Sequence, residues 1–387
     1  MNNRGILAAA YLFDWIAGDP EWFPHPVRLM GKGVETTERI LRRPGQTPAF
    51  ELMAGGALTF GLVATTYVGT AKSITWMKRR NRILGLAFET LLAWTCLASR
   101  SLHDEASSVI TPLGGDDLAL ARRRLARIVG RDTQNLEAQE ISRAIIETVA
   151  ESCSDGVIAP LFYMAIGGVP LAMAYKAINT LDSIIGHADE QYFYFGKIAA
   201  RLDDAANFLP ARLTALGITA TASFFPGTSS VSALDTWCSD GMKHKSPNAG
   251  QPESAMSGAL QVHLGGTNFY NGSPVVAPLI GERFPPPSTE EAKQAIRIAA
   301  VVSVVGAITA LLLRKKRREQ AHTINSLCIV DNSDRSRHVT GLQRSGSSIS
   351  APTLIPSAHH KLYARRSCVH WKCRQHSPRI PIWSRSN

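Results

Sequence analysis

Long stretches of this chain carry no charge. Residues 52–71, 157–175 and 213–234 contain no Asp, Glu, Lys or Arg, and each has about the 20-residue length that lets a helix cross a bilayer core. Two shorter runs, 83–99 (broken only by Glu89) and 298–313, read as further spans or as buried helices. The expectation is an all-α, polytopic membrane protein with about four to five membrane helices. A large soluble helical core is the alternative, because short apolar runs read both ways.

Composition separates a body from a tail. The chain has 387 residues and a net charge of +11, but 15 of its 42 Lys+Arg and only 3 of its 31 Asp+Glu lie from Arg314 onward. Residues 1–313 are therefore close to neutral, which argues against a nucleic-acid partner. Arg314, Lys315, Lys316, Arg317 and Arg318 follow the last apolar run directly, the pattern of a cytoplasmic stop after a membrane helix. Residues 314–387, rich in Ser, Arg and His, read as a disordered basic tail. The six cysteines show no paired metal spacing, and nothing implies disulfides. Residues 5–13 form an apolar run that meets Asp14 with no cleavage-type pattern, so an uncleaved membrane-associated helix is expected.

Between these landmarks the prolines place a loop over 18–26, with an amphipathic helix over 27–41. Lys72, Lys78, Arg79, Arg80 and Arg82 read as a basic cytoplasmic loop. Helical patterning recurs over 117–128 and 135–150, with Gly130 ending the first and Asp132 or Thr133 capping the second. Residues 237–282 are dense in Gly, Pro and Asn and read as a functional loop or a linker. After Pro285, Pro286 and Pro287, residues 289–313 form a helix that starts acidic and ends basic.

The chemistry concentrates in the polar block 179–212, between two uncharged runs. Such a block is costly beside a bilayer unless it binds something. Asn179 and Asp182 are three apart with Gly186 four later, so a helix puts them on one face. Arg201 and Asp204 are three apart, and Asp203 and Asn207 four apart. These hard oxygen donors suit magnesium, with Asp182 and Asp204 as candidate ligands. Arg212 and Arg201 are candidate anion holders. A structural ion-pair network joining two helices explains the same spacing. Ser246-Pro-Asn-Ala-Gly250 offers backbone N–H groups and the Asn248 amide, as an anion nest or as a plain turn. His25, between two prolines, is a proton-transfer candidate or a loop residue.

A set of motifs in one order lifts these signals. Gly18-Asp-Pro20 with His25-Pro-Val-Arg28, Val129-Gly-Arg-Asp-Thr133, Glu147-Thr-Val-Ala-Glu151, Asp155-Gly-Val-Ile-Ala-Pro160, Asn179-Thr-Leu-Asp182, Ala200-Arg-Leu-Asp-Asp204, Pro210-Ala-Arg-Leu213, Ser246-Pro-Asn-Ala-Gly250 and Leu264-Gly-Gly266 resemble the CobD/CbiB family of cobalamin biosynthesis membrane proteins. The likeness covers roughly residues 5–313, which makes 1–313 a family-like membrane domain and 314–387 an extension. The resemblance implies an adenosylcobinamide-phosphate synthase in the cell (inner) membrane. Such a ligase joins aminopropanol, or its phosphate, to a propionate of adenosylcobyric acid through an amide bond. It implies ATP and Mg2+, and a setting among other cobalamin-pathway enzymes. Asp182, Asp203, Asp204, Arg201, Arg212 and Glu151 are then the expected catalytic groups, with Asn179, Asn207, Asn248 and His25 as substrate-binding groups. One departure stands out: Ser152 follows Ala150-Glu151 where family members usually carry Asn, which keeps a hydrogen-bonding group but shortens its reach. A corrinoid transporter and a non-catalytic membrane scaffold are the rival readings.

Overall fold

A computed structural model describes residues 3–339 apart from 21, 44 and 188–190, with side chains for residues 4–314 of that range. The body of the fold ends at Arg314. Its elements run α1 (Asn3–Ala17), α2 (Pro26–Leu41), α3 (Pro48–Arg80), α4 (Arg82–Trp94), α5 (Ser99–Gly114), α6 (Leu118–Leu125) and α7 (Ala138–Cys153). A π-helical turn, Ser154–Ile158, then leads into α8 (Ala159–Ile185), α9 (Lys197–Thr221), α10 (Ser230–Asp240) and α11 (Gly250–Leu260). An antiparallel hairpin, β1 (Leu264–Tyr270) and β2 (Ser273–Ile280), precedes α12 (Thr289–Val339). The tail expected over 314–387 lies, beyond residue 339, outside the described residues.

Among the described residues, four helical stretches are long and apolar enough to cross a bilayer: Pro48–Arg80, Arg82–Gly114, Ala138–Ile185 and Thr289–Arg314. Their outward faces carry Phe60, Trp76, Leu84, Ile308 and Leu312, all exposed. A soluble core would bury such residues, whereas a multi-pass membrane protein turns them to lipid. The set of spans differs from the expectation in one place and settles an open alternative in another. The uncharged run 213–234 does not span, because α9 ends at Thr221 and a break through Phe225, Pro226 and Gly227 precedes α10. The run 83–99 does belong to a candidate span, since Glu89 is buried and its carboxylate is paired with Lys78 Nζ.

The expected basic loop after α3 is also absent. Lys78, Arg79 and Arg80 occupy the last turn of α3, and Asn81 alone connects it to α4. The Asn81 side chain accepts N–H groups from Ile83 and Leu84, so one residue ends one helix and caps the next. The close turn needs Gly85, where a Cβ would fall 2.6 Å from the Lys78 backbone nitrogen.

Two large cores divide the body. Ile141, Ile145 and Val149 of α7 pack with α5, α6, α9, α11 and the first turns of α12. Ile6 and Leu7 of α1 pack with Trp94, with Met164 and Met173 of α8, and with Ala307 and Ala310 of α12. The long α7–α8 rod passes from one core to the other through the π-helical turn, and it is interrupted again at Gly168 (φ 78°) just before Pro170. At the start of α7, Glu137 and Glu140 form a reciprocal capping box. The cap is therefore neither Asp132 nor Thr133; the Asp132 carboxylate instead accepts N–H groups from Asn271 and Gly272 in the hairpin turn. Among the described residues that hairpin is the exception to an all-α fold.

Candidate functional site

The π-helical turn places Asp155 one turn after Glu151, and α8 presents Lys176, Asn179 and Asp182 at helical spacing. All five line one cavity of about 320 Å³. Arg131, Glu147, His244, Lys245, Glu253 and the hairpin residues Gly265, Asn268 and Tyr270 complete its wall. Gly186 serves Asp182 directly, since a Cβ there would lie 2.1 Å from Asp182 Oδ1.

One wall is locked by a buried ionic network. Glu147 accepts Arg131 Nη2 on one carboxylate oxygen, and Arg143 Nη1 at 3.1 Å on the other. Both guanidinium groups also donate to Asn268 Oδ1 on β1. Burial works against the Arg131 charge, but the Glu147 carboxylate outweighs it and holds the guanidinium above its ordinary range. The network thus ties the hairpin to α7 and to the 128–131 segment beside the cavity.

A second, much smaller cavity of about 10 Å³ adjoins the first and shares Glu151 and Asp155 with it. Asp203, Asn207 and Asn248 line it. Tyr175 donates its hydroxyl to Asn207 Oδ1 at 2.8 Å, and Asn207 Nδ2 donates to Asp203 Oδ2 at 3.0 Å. Asn248 Nδ2 donates to the Asp204 backbone carbonyl at 2.8 Å, tying the Ser246–Gly250 turn to α9. Asn248 Oδ1 and Ser154 Oγ are enclosed here without a hydrogen-bond partner among the described residues.

The polar block therefore splits. Asn179 and Asp182 line the larger cavity with Glu151, while Asp203, Asn207 and Asn248 line the smaller one. Asp204 lines neither; it pairs with Arg201 at 3.3 Å, and the Arg201 side chain is 76% exposed. Arg212 is half-buried and lines neither cavity, donating to the Phe208 carbonyl at 2.7 Å with its guanidinium 3.6 Å over the Phe208 ring. Here the structural ion-pair alternative describes Arg201 and Asp204, and Arg212 holds only its own helix.

His25 is buried as the N-cap of α2. Its Nδ1 accepts the Val27 N–H at 3.2 Å, and its Nε2 is 3.9 Å from Asp19 Oδ1. Burial, together with the positive charges of Lys176 and Arg28, pushes its pKa down to about 4. At neutral pH it is an uncharged cap, and it lines neither cavity. Burial raises the pKa of Asp19, with Arg28 and Lys176 opposing.

Sequence reasoning gave no role to Lys176, His244, Lys245, Glu253 or Asn268. Arg131 and Glu147 stood inside quoted motifs without a function. A signal existed for Lys176, the first charge after an uncharged run, but that position also suits a lysine reaching out to a membrane surface.

A family profile described as CobD/Cbib protein matches residues 7–299. The chain belongs to the CobD/CbiB family. Among the relatives of this CobD/CbiB member, the cobalamin biosynthesis protein CobD of Geobacter metallireducens is 46% identical over 286 residues, covering 73% of this chain and 87% of the relative. The cobalamin biosynthesis protein CbiB of Salmonella typhimurium is 42% identical over 301 residues, 76% of this chain and 92% of the relative. No solved structure matches. The family match contains every residue of both CobD/CbiB cavities and ends within α12.

Proposed function

We propose that this protein acts in cobalamin biosynthesis as an adenosylcobinamide-phosphate synthase, an ATP-dependent carbon–nitrogen ligase of the cell membrane. The observation that carries the reading is the convergence of Glu151, Asp155, Lys176, Asn179 and Asp182 on one cavity of a CobD/CbiB family member.

A carboxylate does not accept an amine at neutral pH, so its oxygen must first become part of a leaving group. In the proposed sequence, a propionate oxygen of adenosylcobyric acid attacks the γ-phosphorus of ATP, giving an acyl phosphate and ADP. The amine of aminopropanol, or of its phosphate, then attacks the acyl carbon. The C–O bond to phosphate breaks, inorganic phosphate leaves and the amine nitrogen loses a proton. Glu151 or Asp155 is the proposed acceptor of that proton, with Asn179 orienting the acyl group. The volume of about 320 Å³ is at the lower end for a small-ligand pocket. It suits one propionate arm with the amino alcohol and terminal phosphates, leaving the corrin ring outside.

Among the described residues no three His, Cys, Asp or Glu side chains converge to hold a metal by themselves. Magnesium needs fewer, since it normally takes one or two protein carboxylates and completes its shell with phosphates and water. Asp155 and Glu151, beside the enclosed oxygens of Asn248 and Ser154, fit that requirement. Asp182 remains a candidate ligand from the larger cavity, whereas Asp204 does not reach it. When bound, the ion would neutralise phosphate charge.

The test is an assay of purified protein with ATP, Mg2+, adenosylcobyric acid and aminopropanol or its phosphate. Formation of the amide product with release of ADP is expected. Corrinoid movement across vesicles without product would favour a transporter, and neither result would favour a scaffold for other cobalamin-pathway enzymes.

A further inference from the structure

Lys176 is 5% exposed, sits within a membrane-length helical stretch and lines the larger cavity. Arg131 on this wall, and Arg143 behind it, share the Glu147 carboxylate. Lys176 has no such arrangement: among the described residues its ammonium makes no hydrogen bond or ion pair, and the Thr180 hydroxyl donates only to its backbone carbonyl. Asp155, Asp19 and Asp203 act on it only through space. An enclosed ammonium without a hydrogen-bonded counter-ion is unfavourable in the folded state, and it is retained where a ligand completes it. Asn179 stands one turn further along the same face of α8, so an amide and an ammonium line the same wall. Besides Glu147, which Arg131 and Arg143 hold, four carboxylates line this cavity, Glu151, Asp155, Asp182 and Glu253; they would repel an incoming anion, and Lys176 is the buried positive charge on the α8 wall that offsets them.

We infer that Lys176 is the residue that binds the substrate's oxyanion, either the propionate carboxylate that becomes the amide or the phosphoryl group transferred onto it. This assignment rests on the ligase reading. The contact strengthens as negative charge builds on the phosphoryl oxygens, so it serves both binding and activation.

The experiment uses the full-length protein in detergent as wild type, Lys176→Met and Lys176→Arg. Thermal unfolding is followed alone, with adenosylcobyric acid and with inorganic phosphate, and steady-state kinetics are measured with ATP. A rise in wild-type Tm with at least one anion, lost in Lys176→Met and partly kept in Lys176→Arg, is expected. A loss of charge-assisted bonding lowers kcat/KM by about 100-fold in Lys176→Met, with part of the loss recovered in Lys176→Arg. The Arg variant distinguishes an anion holder from a proton acceptor, since guanidinium keeps its charge and does not deprotonate. A shift with adenosylcobyric acid assigns the carboxylate, and one with phosphate alone assigns the phosphoryl group. Equal shifts in wild type and Lys176→Met, no shift in wild type with either anion, or unchanged kcat/KM in Lys176→Met overturns the inference. If Lys176→Met does not fold, Lys176→Arg decides: loss of both the shift and turnover in a folded Arg variant counts against it. Absence of amide product from wild type defeats the ligase reading separately, whatever the anion shifts show.

Discussion

Glu147 and Gly265, 118 residues apart in sequence, are joined by a 2.9 Å hydrogen bond from the glycine N–H to the glutamate Oε1. The same oxygen accepts from Arg143, and the other accepts from Arg131. One carboxylate therefore holds α7, the 128–131 segment and the hairpin together. Gly265 has φ +85°, and a Cβ there would sit 2.1 Å from the Pro278 carbonyl, so the β-bulge beside Glu147 depends on glycine.

Replacing Glu147 by Ala leaves two buried guanidinium groups without a counter-ion. The expected cost is about 3–5 kcal/mol, seen as a Tm lowered by on the order of 10 °C in detergent. Hydrogen exchange over 264–280 should rise at the same time. Unchanged protection in a folded variant would show that the hairpin is held by other contacts.

The two halves of the polar block should separate in activity. Asp182→Ala, on the cavity wall, is expected to lower kcat/KM by about 100-fold or more. Arg212→Ala and Arg201→Ala, both on the surface, should stay within about threefold of wild type. Asp204→Ala should follow the arginines, because its side chain bonds only to Arg201 among the contacts resolved for it. Amide formation in matched, membrane-inserted variants decides this; a severe loss in Arg212→Ala would move the site.

His25 predicts a specific acid sensitivity. Its pKa is lowered from 6.5 to about 4 in the fold, so the unfolded chain takes up a proton first. The stability that its neutral form contributes is present above pH 6.5 and is lost as the pH falls through about 4, by up to about 3 kcal/mol. Asp14, pushed up to about 6 mainly by burial, protonates in the same interval and acts in the opposite sense. The measurement is therefore the difference between wild type and His25→Asn, which keeps an N-cap acceptor. Wild type should lose stability relative to the variant between pH 6.5 and 4, and parallel curves would refute the account.

The family match stops at residue 299, and charge accumulates from Arg314. Truncation after Arg318 is expected to leave membrane insertion and amide synthesis unchanged. Loss of either would give the tail a function.

Much of the helical framework was legible from residues. The helical patterns over 27–41 and 117–128 fall on α2 and α6, and the Ile141, Ile145, Val149 stripe marks α7, because side-chain spacing acts locally. The false span over 213–234 came from counting charge alone; Pro226-Gly227 was the punctuation that breaks it. The hairpin is masked in the sequence because Gly265 and Gly266 weaken the strand pattern, and its anchor Glu147 lies far away along the chain. Asp203 and Asp204 looked equivalent as neighbours. On a helix, adjacent residues point about 100° apart, so one faces the smaller cavity and the other meets Arg201 in solvent. Lys176 was hidden for another reason: its burial and lack of a partner are properties of the packed fold, invisible to spacing.

The π-helical turn at Ser154–Ile158 makes the cavity depend on chain length as well as on residue type. A π turn accommodates an additional residue within a helical rod, and removing one there lets the rod close into regular α-helix with its two flanks still in register. Lys176, Asn179 and Asp182 would keep the wall they share with Glu151, whereas Ser154 and Asp155, carried by the bulge itself, would lose their places. A one-residue deletion a few positions later, in regular α-helix, does the opposite, because every position beyond it rotates by about 100°. Where a codon is lost along this rod therefore decides which half of the site goes with it.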